Sequence, residues 1–189
     1  MKIEIRYHPP QFSKKAVAEY LGVNTLPKWV KSKPDWSDIK KLRESNNNYR
    51  CGITNWQQLL NILAPSFKST KYGVYFSRYY NHKQMKQDFT KFGKFQSEGG
   101  HHIHLRGIVQ NPVYQYELGV RAIASWVDKL EKLKDIGKIV IYLNDDSRGS
   151  KNFTLCMYSN PSAKEIDALE SGWPPISKMT IKNFLKWAN

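Results

Sequence analysis

Acidic residues are scarce in the first half of this 189-residue chain. Residues 1–100 hold 7 Asp and Glu against 18 Lys and Arg, and the whole chain holds 16 against 30, a net charge of +14. Cysteine is scarcer still. Cys51 and Cys156 stand far apart, which argues against a disulfide framework or a Cys-based zinc site and suits a reducing, cytoplasmic compartment. No apolar run approaches the ~18 residues a membrane span needs. The opening Met-Lys-Ile-Glu-Ile-Arg alternates like a strand and lacks the apolar block of a signal peptide. Gly-x-Ser-x-Gly, P-loop and dinucleotide glycine fingerprints are all missing, which removes the commonest nucleophile-elbow and nucleotide-binding classes. No internal repeat or low-complexity tract is present.

What is present is positive charge, unevenly spread. Residues 101–189 hold 12 basic and 9 acidic residues, so most of the excess lies before them. Such a balance speaks to partners and not to fold. A polyanion bound by the N-terminal half is the simplest expectation. A membrane surface would ask for a basic amphipathic helix with exposed apolar bulk, and none is evident. Between Phe67 and Phe95 nine aromatics interleave with seven bases, and Asp88 is the sole acid. Flat rings that stack on bases, beside cations that follow phosphates, are the chemistry of single-strand binding. Arg78, Tyr79, Tyr80, Lys83, Lys86, Lys91 and Lys94 are the candidate nucleic-acid contacts, with single-stranded RNA or DNA favoured as partner.

Three of the five histidines fall in the stretch Glu98-Gly99-Gly100-His101-His102-Ile103-His104-Leu105-Arg106. Alternation from His102 to Val109 predicts a half-buried strand. Ile103, Leu105 and Val109 would face the core, and His102, His104 and Arg106 the other side, spaced about 7 Å apart. Two imidazoles and a guanidinium on one face suit a phosphate. One histidine can take a 2′-hydroxyl proton, the other can protonate the leaving oxygen, and Arg106 can stabilise the developing charge. Alternatively His102 and His104 join Asp145 or Asp146, from a turn further on, as ligands for a divalent ion such as Mg or Mn.

His102-Ile103-His104, followed by a helix bearing Tyr114 and Tyr116, also resembles the His-hydrophobic-His endonucleases over about ten residues. That resemblance implies a metal on the scissile phosphate and a tyrosine nucleophile, for which Tyr114 is the candidate because Tyr116 lies on an apolar face. No third acidic ligand adjoins the histidine pair. Upstream, Ala16-Val17-Ala18-Glu19-Tyr20-Leu21-Gly22-Val23 resembles the first helix and turn of excisionase-type helix-turn-helix proteins. The second helix would then hold Leu26 to Val30, with Pro27 inside it.

The remaining elements follow from period and caps. Strands are expected near 2–7, 72–78, 102–109, 138–143 and 152–158, the last two as a hairpin. Helices are expected from Ser13 to Leu21, Ser37 to Glu44, Thr54 or Asn55 to Pro65, His82 to Phe92, Pro112 to about Asp135, after the capping box Ser162–Glu165, and from Ser177 to Trp187. Residues 46–48 and Trp173-Pro174-Pro175 read as loops. The expected architecture is α+β: a mainly antiparallel sheet of about five strands with helices packed on one side. Residues 1–65 would form a basic helical region and 66–189 the domain carrying the histidines.

Together these features describe a basic nucleic-acid-binding protein that cleaves phosphodiesters, or else a non-catalytic DNA- or RNA-binding module. Charge of this size predicts a steep salt dependence. With about six phosphates contacted, affinity for a single-stranded oligonucleotide should fall roughly 300-fold between about 50 and 200 mM salt. A flat titration by fluorescence anisotropy would defeat the expectation.

Overall fold

The computed structural model describes residues 2–45, 55–71, 73–77, 83, 86, 102–134, 136–146, 149, 151–171 and 176–188. The sequence places alternating apolar residues in β1 (Lys2–Tyr7), and β1 occupies the interior of a five-stranded sheet. Across the sheet the order is β4 (His102–His104), β6 (Phe153–Ser159), β5 (Lys138–Asp145), β1, β7 (Ser177–Met179). Only β1 and β5 run parallel, from Lys2↔Lys138 to Tyr7↔Leu143; the other neighbours are antiparallel. The expected hairpin is β5–β6, in register from Ile139↔Ser159 to Asp145↔Phe153. The α+β class and the mainly antiparallel sheet are therefore as the sequence predicts.

Six helices pack around the sheet among the described residues. α1 (Lys14–Leu21) starts at Ser13, whose hydroxyl accepts from the Ala16 N–H, and ends at Gly22. α2 (Trp36–Ser45) is capped by Asp35, whose carboxylate accepts from the Ser37 and Asp38 N–H groups. Burial would raise the Asp35 pKa, but Lys31, the Ser37 hydroxyl and the Asp38 amide together hold it down at about 2. The stabilisation this adds is present above the ordinary carboxylate range and is lost as pH falls through about 2. α3 (Trp56–Leu63) begins at Asn55, as expected. α4 (Pro112–Leu130) is the central helix, with Asn111 as cap and Pro112 in the first turn. It ends at Leu130, a turn short of expectation. α5 (Ala163–Glu170) carries the full capping box.

Most helices lie on one face. Ile3, Ile5, Ile139, Ile141, Leu143, Leu155 and Met157 point to that face and join Val17, Ile39, Tyr116, Trp126 and Phe184 in one core. α5 lies on the other face, where Ile166 covers Val140, Tyr142 and Cys156. Residues from the expected regions 1–65 and 66–189 share this one sheet and one core.

Three local expectations change. The strand beginning at His102 ends at His104, where Leu105–Gly107 form a 3-10 turn. The chain must reverse there to enter α4, and the Leu105 carbonyl accepts from both Ile108 and Val109. The expected helix from Ser177 begins instead at Ile181, as α6 (Ile181–Ala188), because Ser177–Met179 pair with β1. Residues 26–30 form no second helix after α1. They make a turn closed by the Val30 N–H donating to the Pro27 carbonyl at 3.1 Å.

β3 (Gly73–Phe76) lies within the expected strand, but it pairs with β2 (Phe67–Thr70) in a separate two-stranded sheet. That hairpin is fastened to the main sheet by Val74 N–H donating to Ser159 Oγ at 3.0 Å. Gly73 has φ +125°, and a Cβ there would lie 2.6 Å from Ser159 Oγ. The expected loops around 46–48 and 173–175 lie outside the described residues. No helix among those described is long and apolar enough to cross a membrane.

α4 can lie close to the sheet because it carries Gly119 where it crosses β5. A Cβ there would stand 2.5 Å from Leu143 Cδ1 and 3.2 Å from Leu105 Cδ1, both leucines being fully buried. Gly119→Val should cost about 3 kcal/mol, the upper part of the usual overpacking range. Gly119→Ala should cost less, because Ala gains ~1 kcal/mol over Gly in a helix interior. Urea unfolding midpoints check the order; a valine variant as stable as the parent would refute this packing.

Candidate active site

Strand pairing sets the site. β4 is an edge strand whose partners on β6 are fixed by register: His102↔Cys156, Ile103↔Leu155, His104↔Thr154. Side chains at paired positions share a face. His102 and His104 therefore stand on the face of Thr154, Cys156 and Tyr158, while Ile103 packs against the main core. The opposite-face arrangement expected for the histidines holds over these three residues.

His104 is the more exposed, its side chain 73% accessible. Its Nδ1 lies 3.1 Å from Thr154 Oγ1 and 3.3 Å from Asp146 Oδ2. The Thr154 hydroxyl donates to the same Asp146 oxygen. A hydroxyl has one proton and an ionised carboxylate has none. With the Thr154 proton directed at Asp146, both oxygens near His104 are acceptors, so Nδ1 carries the hydrogen. Nε2 is then the basic nitrogen, the tautomer a general base needs.

His102 is half-buried, with Nε2 2.9 Å from the Tyr158 hydroxyl. Tyr158 in turn meets Tyr142 edge-on, ring centroids 5.6 Å apart. Beyond Tyr142 the same face is closed by α5. There the Arg6 guanidinium donates to Glu4 and Glu170, and the Tyr142 hydroxyl donates to Glu170 at 3.3 Å. Burial, aided by Glu170, pushes the Tyr142 hydroxyl well above its ordinary range, against the opposing pull of Arg6. Burial lowers the Arg6 pKa, but its bonds to Glu4 and Glu170 outweigh this and raise it overall.

The histidines also wall a cleft of about 640 Å³ between β4 and α3, lined further by Gln58, Asn61, Ser66 and Ser77. Ser77, which follows β3, and His102, which opens β4, both line this wall.

No protein-family model, curated protein or solved structure matches this chain.

Several sequence candidates fall elsewhere. Tyr114 is buried in the helical layer, its ring 4.5 Å from that of Tyr20 and its hydroxyl donating to the Tyr20 carbonyl. It faces α1 and not the histidine strand. Tyr116 is fully buried, as its spacing predicts, and burial raises its pKa far above the ordinary value. Asp145 sits at an odd position of β5, in phase with Ile139, Ile141 and Leu143, and is 5% exposed with its own N–H donating to His8 Nδ1. It points away from the histidine face, and the neighbouring Asp146 is the carboxylate that meets His104. No three His, Cys, Asp or Glu residues among those described are placed to share an ion. The set of His102, His104 and Asp145 is therefore not brought together.

Arg106 is exposed on the 3-10 turn and does not line the cleft. Lys83 and Lys86 are exposed helical positions. Arg78, Tyr79, Tyr80, Lys91 and Lys94 lie outside the described residues.

Sequence alone does not single out Thr154 and Tyr158. Alternation in the expected hairpin carries their signal, since 154, 156 and 158 must share a face, but no local rule says which strand lies beside the histidines.

Thr154 and Asp146 both meet the His104 imidazole and between them fix its tautomer. In the protein, nitrogen-15 shifts should show His104 as the Nδ1–H tautomer. Asp146→Ala should mix the tautomers, and Thr154→Val should leave the Asp146 contact while removing one acceptor. An Nε2–H tautomer in the parent would overturn the assignment.

Proposed function

We propose that this is a nucleic-acid-binding protein that cleaves phosphodiester bonds, with RNA as substrate and no metal in the chemical step. The observation that carries the reading is the His104–Asp146 dyad beside a second imidazole on the same face of β4. Neighbouring same-face residues of a strand lie about 7 Å apart. That spacing lets two imidazoles flank one phosphodiester.

The chemistry follows from the hydrogen bonds. His104 Nε2 takes the proton of a ribose 2′-hydroxyl, and O2′ forms a bond to phosphorus. The bond from phosphorus to the 5′-oxygen breaks. The leaving oxygen takes the Nδ1 proton of a His102 imidazolium, whose Nε2–H donates to the Tyr158 hydroxyl, and His102 is left neutral. The products are a 2′,3′-cyclic phosphate and a 5′-hydroxyl. Asp146 stabilises the imidazolium formed on His104, as an orienting carboxylate does in other histidine bases. Arg106, exposed one turn away, holds a flanking phosphate and contributes to affinity. The aromatic-basic segment between Phe67 and Phe95 supplies stacking and phosphate contacts for the rest of the strand.

The test uses labelled single-stranded RNA, its all-deoxy counterpart and EDTA. Wild-type protein should cut the RNA with EDTA present, leave a 2′,3′-cyclic end and spare the DNA. His104→Ala should lower the rate by at least ~10²-fold, in the range general acid–base catalysis supplies, with binding almost unchanged because the side chain is largely exposed. Tyr158→Phe should slow the reaction less than His102→Ala. A cut that requires metal and also acts on DNA would replace this mechanism. Absence of cleavage under all conditions, with binding retained, would reduce the protein to a binding module.

A further inference from the structure

The turn after α1 is a second candidate contact, and none of its residues lines the cleft. Pro27, Lys28, Trp29 and Val30 make a tight turn, with the Val30 N–H donating to the Pro27 carbonyl at 3.1 Å, which puts Lys28 and Trp29 at its apex. Both flanks are anchored. Val30 is 3% exposed, and Leu26 packs against the core. Lys31 Nζ reaches Asp35 at 2.7 Å and Asp38 at 3.5 Å, tying the exit of the turn to the start of α2. A little further on, Phe12 N–H donates to the Pro34 carbonyl at 2.7 Å.

On this fixed support Trp29 is 52% exposed, whereas Trp36 and Trp126 are at 3% and 0%. A large ring held in water by a rigid turn has given up the apolar burial that its neighbours obtain. Lys28, its neighbour in sequence, and Lys33, four residues on, are also exposed. Between Glu19 and Asp35 the sequence contains no acidic residue. Asp35 and Asp38, the nearest carboxylates along the chain, are engaged by Lys31 and by the cap of α2.

We infer that Trp29 is a stacking platform for a nucleobase of single-stranded nucleic acid, with Lys28 and Lys33 on the flanking phosphates. The inference rests on the proposed nucleic-acid function and extends it to a binding point away from the cleft. A flat ring with cations on both sides in sequence is the arrangement that binds single strands without regard to sequence. A membrane surface would also accept tryptophan and lysine, but it asks for a broader apolar face than one side chain offers.

The experiment compares wild type with Trp29→Ala, Trp29→Phe and the double variant Lys28→Ala/Lys33→Ala. Each is checked for native circular dichroism and tested for binding to a labelled all-deoxy single-stranded 20-mer, which the proposed reaction spares. Trp29→Ala should raise Kd roughly five- to a hundred-fold, the range expected for losing one stacked base. Trp29→Phe should recover most of the affinity, and the double-lysine variant should flatten the salt slope by about two contacts. Cleavage of a dinucleotide, which reaches the cleft alone, should be the same in Trp29→Ala and wild type.

Folded Trp29→Ala with unchanged Kd overturns the stacking assignment while leaving the cleft chemistry standing. If Trp29→Ala does not fold, Trp29→Phe and the lysine pair decide the matter: unchanged affinity and salt slope in both overturns the assignment. Wild type that neither binds the 20-mer nor cuts RNA removes the functional reading itself. Sedimentation with phosphatidylserine vesicles that depends on Trp29, with oligonucleotide binding unaffected, overturns the inference in favour of a lipid surface.

Discussion

Gln115 is fully buried in α4, and its carboxamide engages two backbone groups of different segments. Its Oε1 accepts from the Phe153 N–H at 2.9 Å, and its Nε2 donates to the Gln110 carbonyl at 2.9 Å. Phe153 opens β6 and is followed by Thr154, the residue beneath His104. Gln110 closes the segment that begins with the histidines. One amide thus ties the strand carrying the positioning hydroxyl, the turn leaving the histidine strand and the central helix to a common origin. Without it, a buried N–H would lack its partner, at a cost of about 1–3 kcal/mol.

The sheet face that carries the histidines is divided between two regimes. Under α5, Arg6 is 6% exposed and lies between Glu4 and Glu170, with Lys138 and Lys178 at the same carboxylates. Charges so withdrawn from water hold together because each has a partner, and removing one would strand the others. Towards β4 that cover ends, and the polar groups change from ion pairs to imidazole, hydroxyl and a partly exposed carboxylate. Groups that must exchange protons with a ligand need such access. The ion-paired half of the face supports the half that carries the imidazoles.

Much of this is legible in the sequence where the signal is local. Ser13, Asn55, Asn111 and the Ser162–Glu165 pair each mark a helix start that the structure contains, because a cap is a bond between near neighbours. The 4-3-4-3 spacing from Tyr116 to Leu130 finds the buried side of α4. His102 and His104 share a face because alternation is a property of any strand. The rest is hidden wherever a distant segment decides. Leu105 continues the apolar alternation, yet the need to turn into α4 ends the strand before it. Ser177–Met179 read as helix until the open edge of β1 is taken into account. Asp145 and Asp146 differ by one position, so choosing between them requires the phase of β5. Pro27 is the visible obstacle to a second helix at 26–30, and a turn is what that segment forms.

The parallel pairing of β1 with β5 has a consequence for how this chain comes into being. β1 leaves the ribosome long before the partners that flank it, at Lys138–Asp145 and Ser177–Met179. At about 5–20 residues per second of synthesis, the strand waits on the order of ten seconds before β5 exists to receive it. During that interval the most basic part of the chain is exposed without its sheet. Nascent chains of this protein therefore present a cationic, unfinished N-terminal half beside the RNA of the ribosome that makes them, and the fold closes only after the histidine strand has emerged.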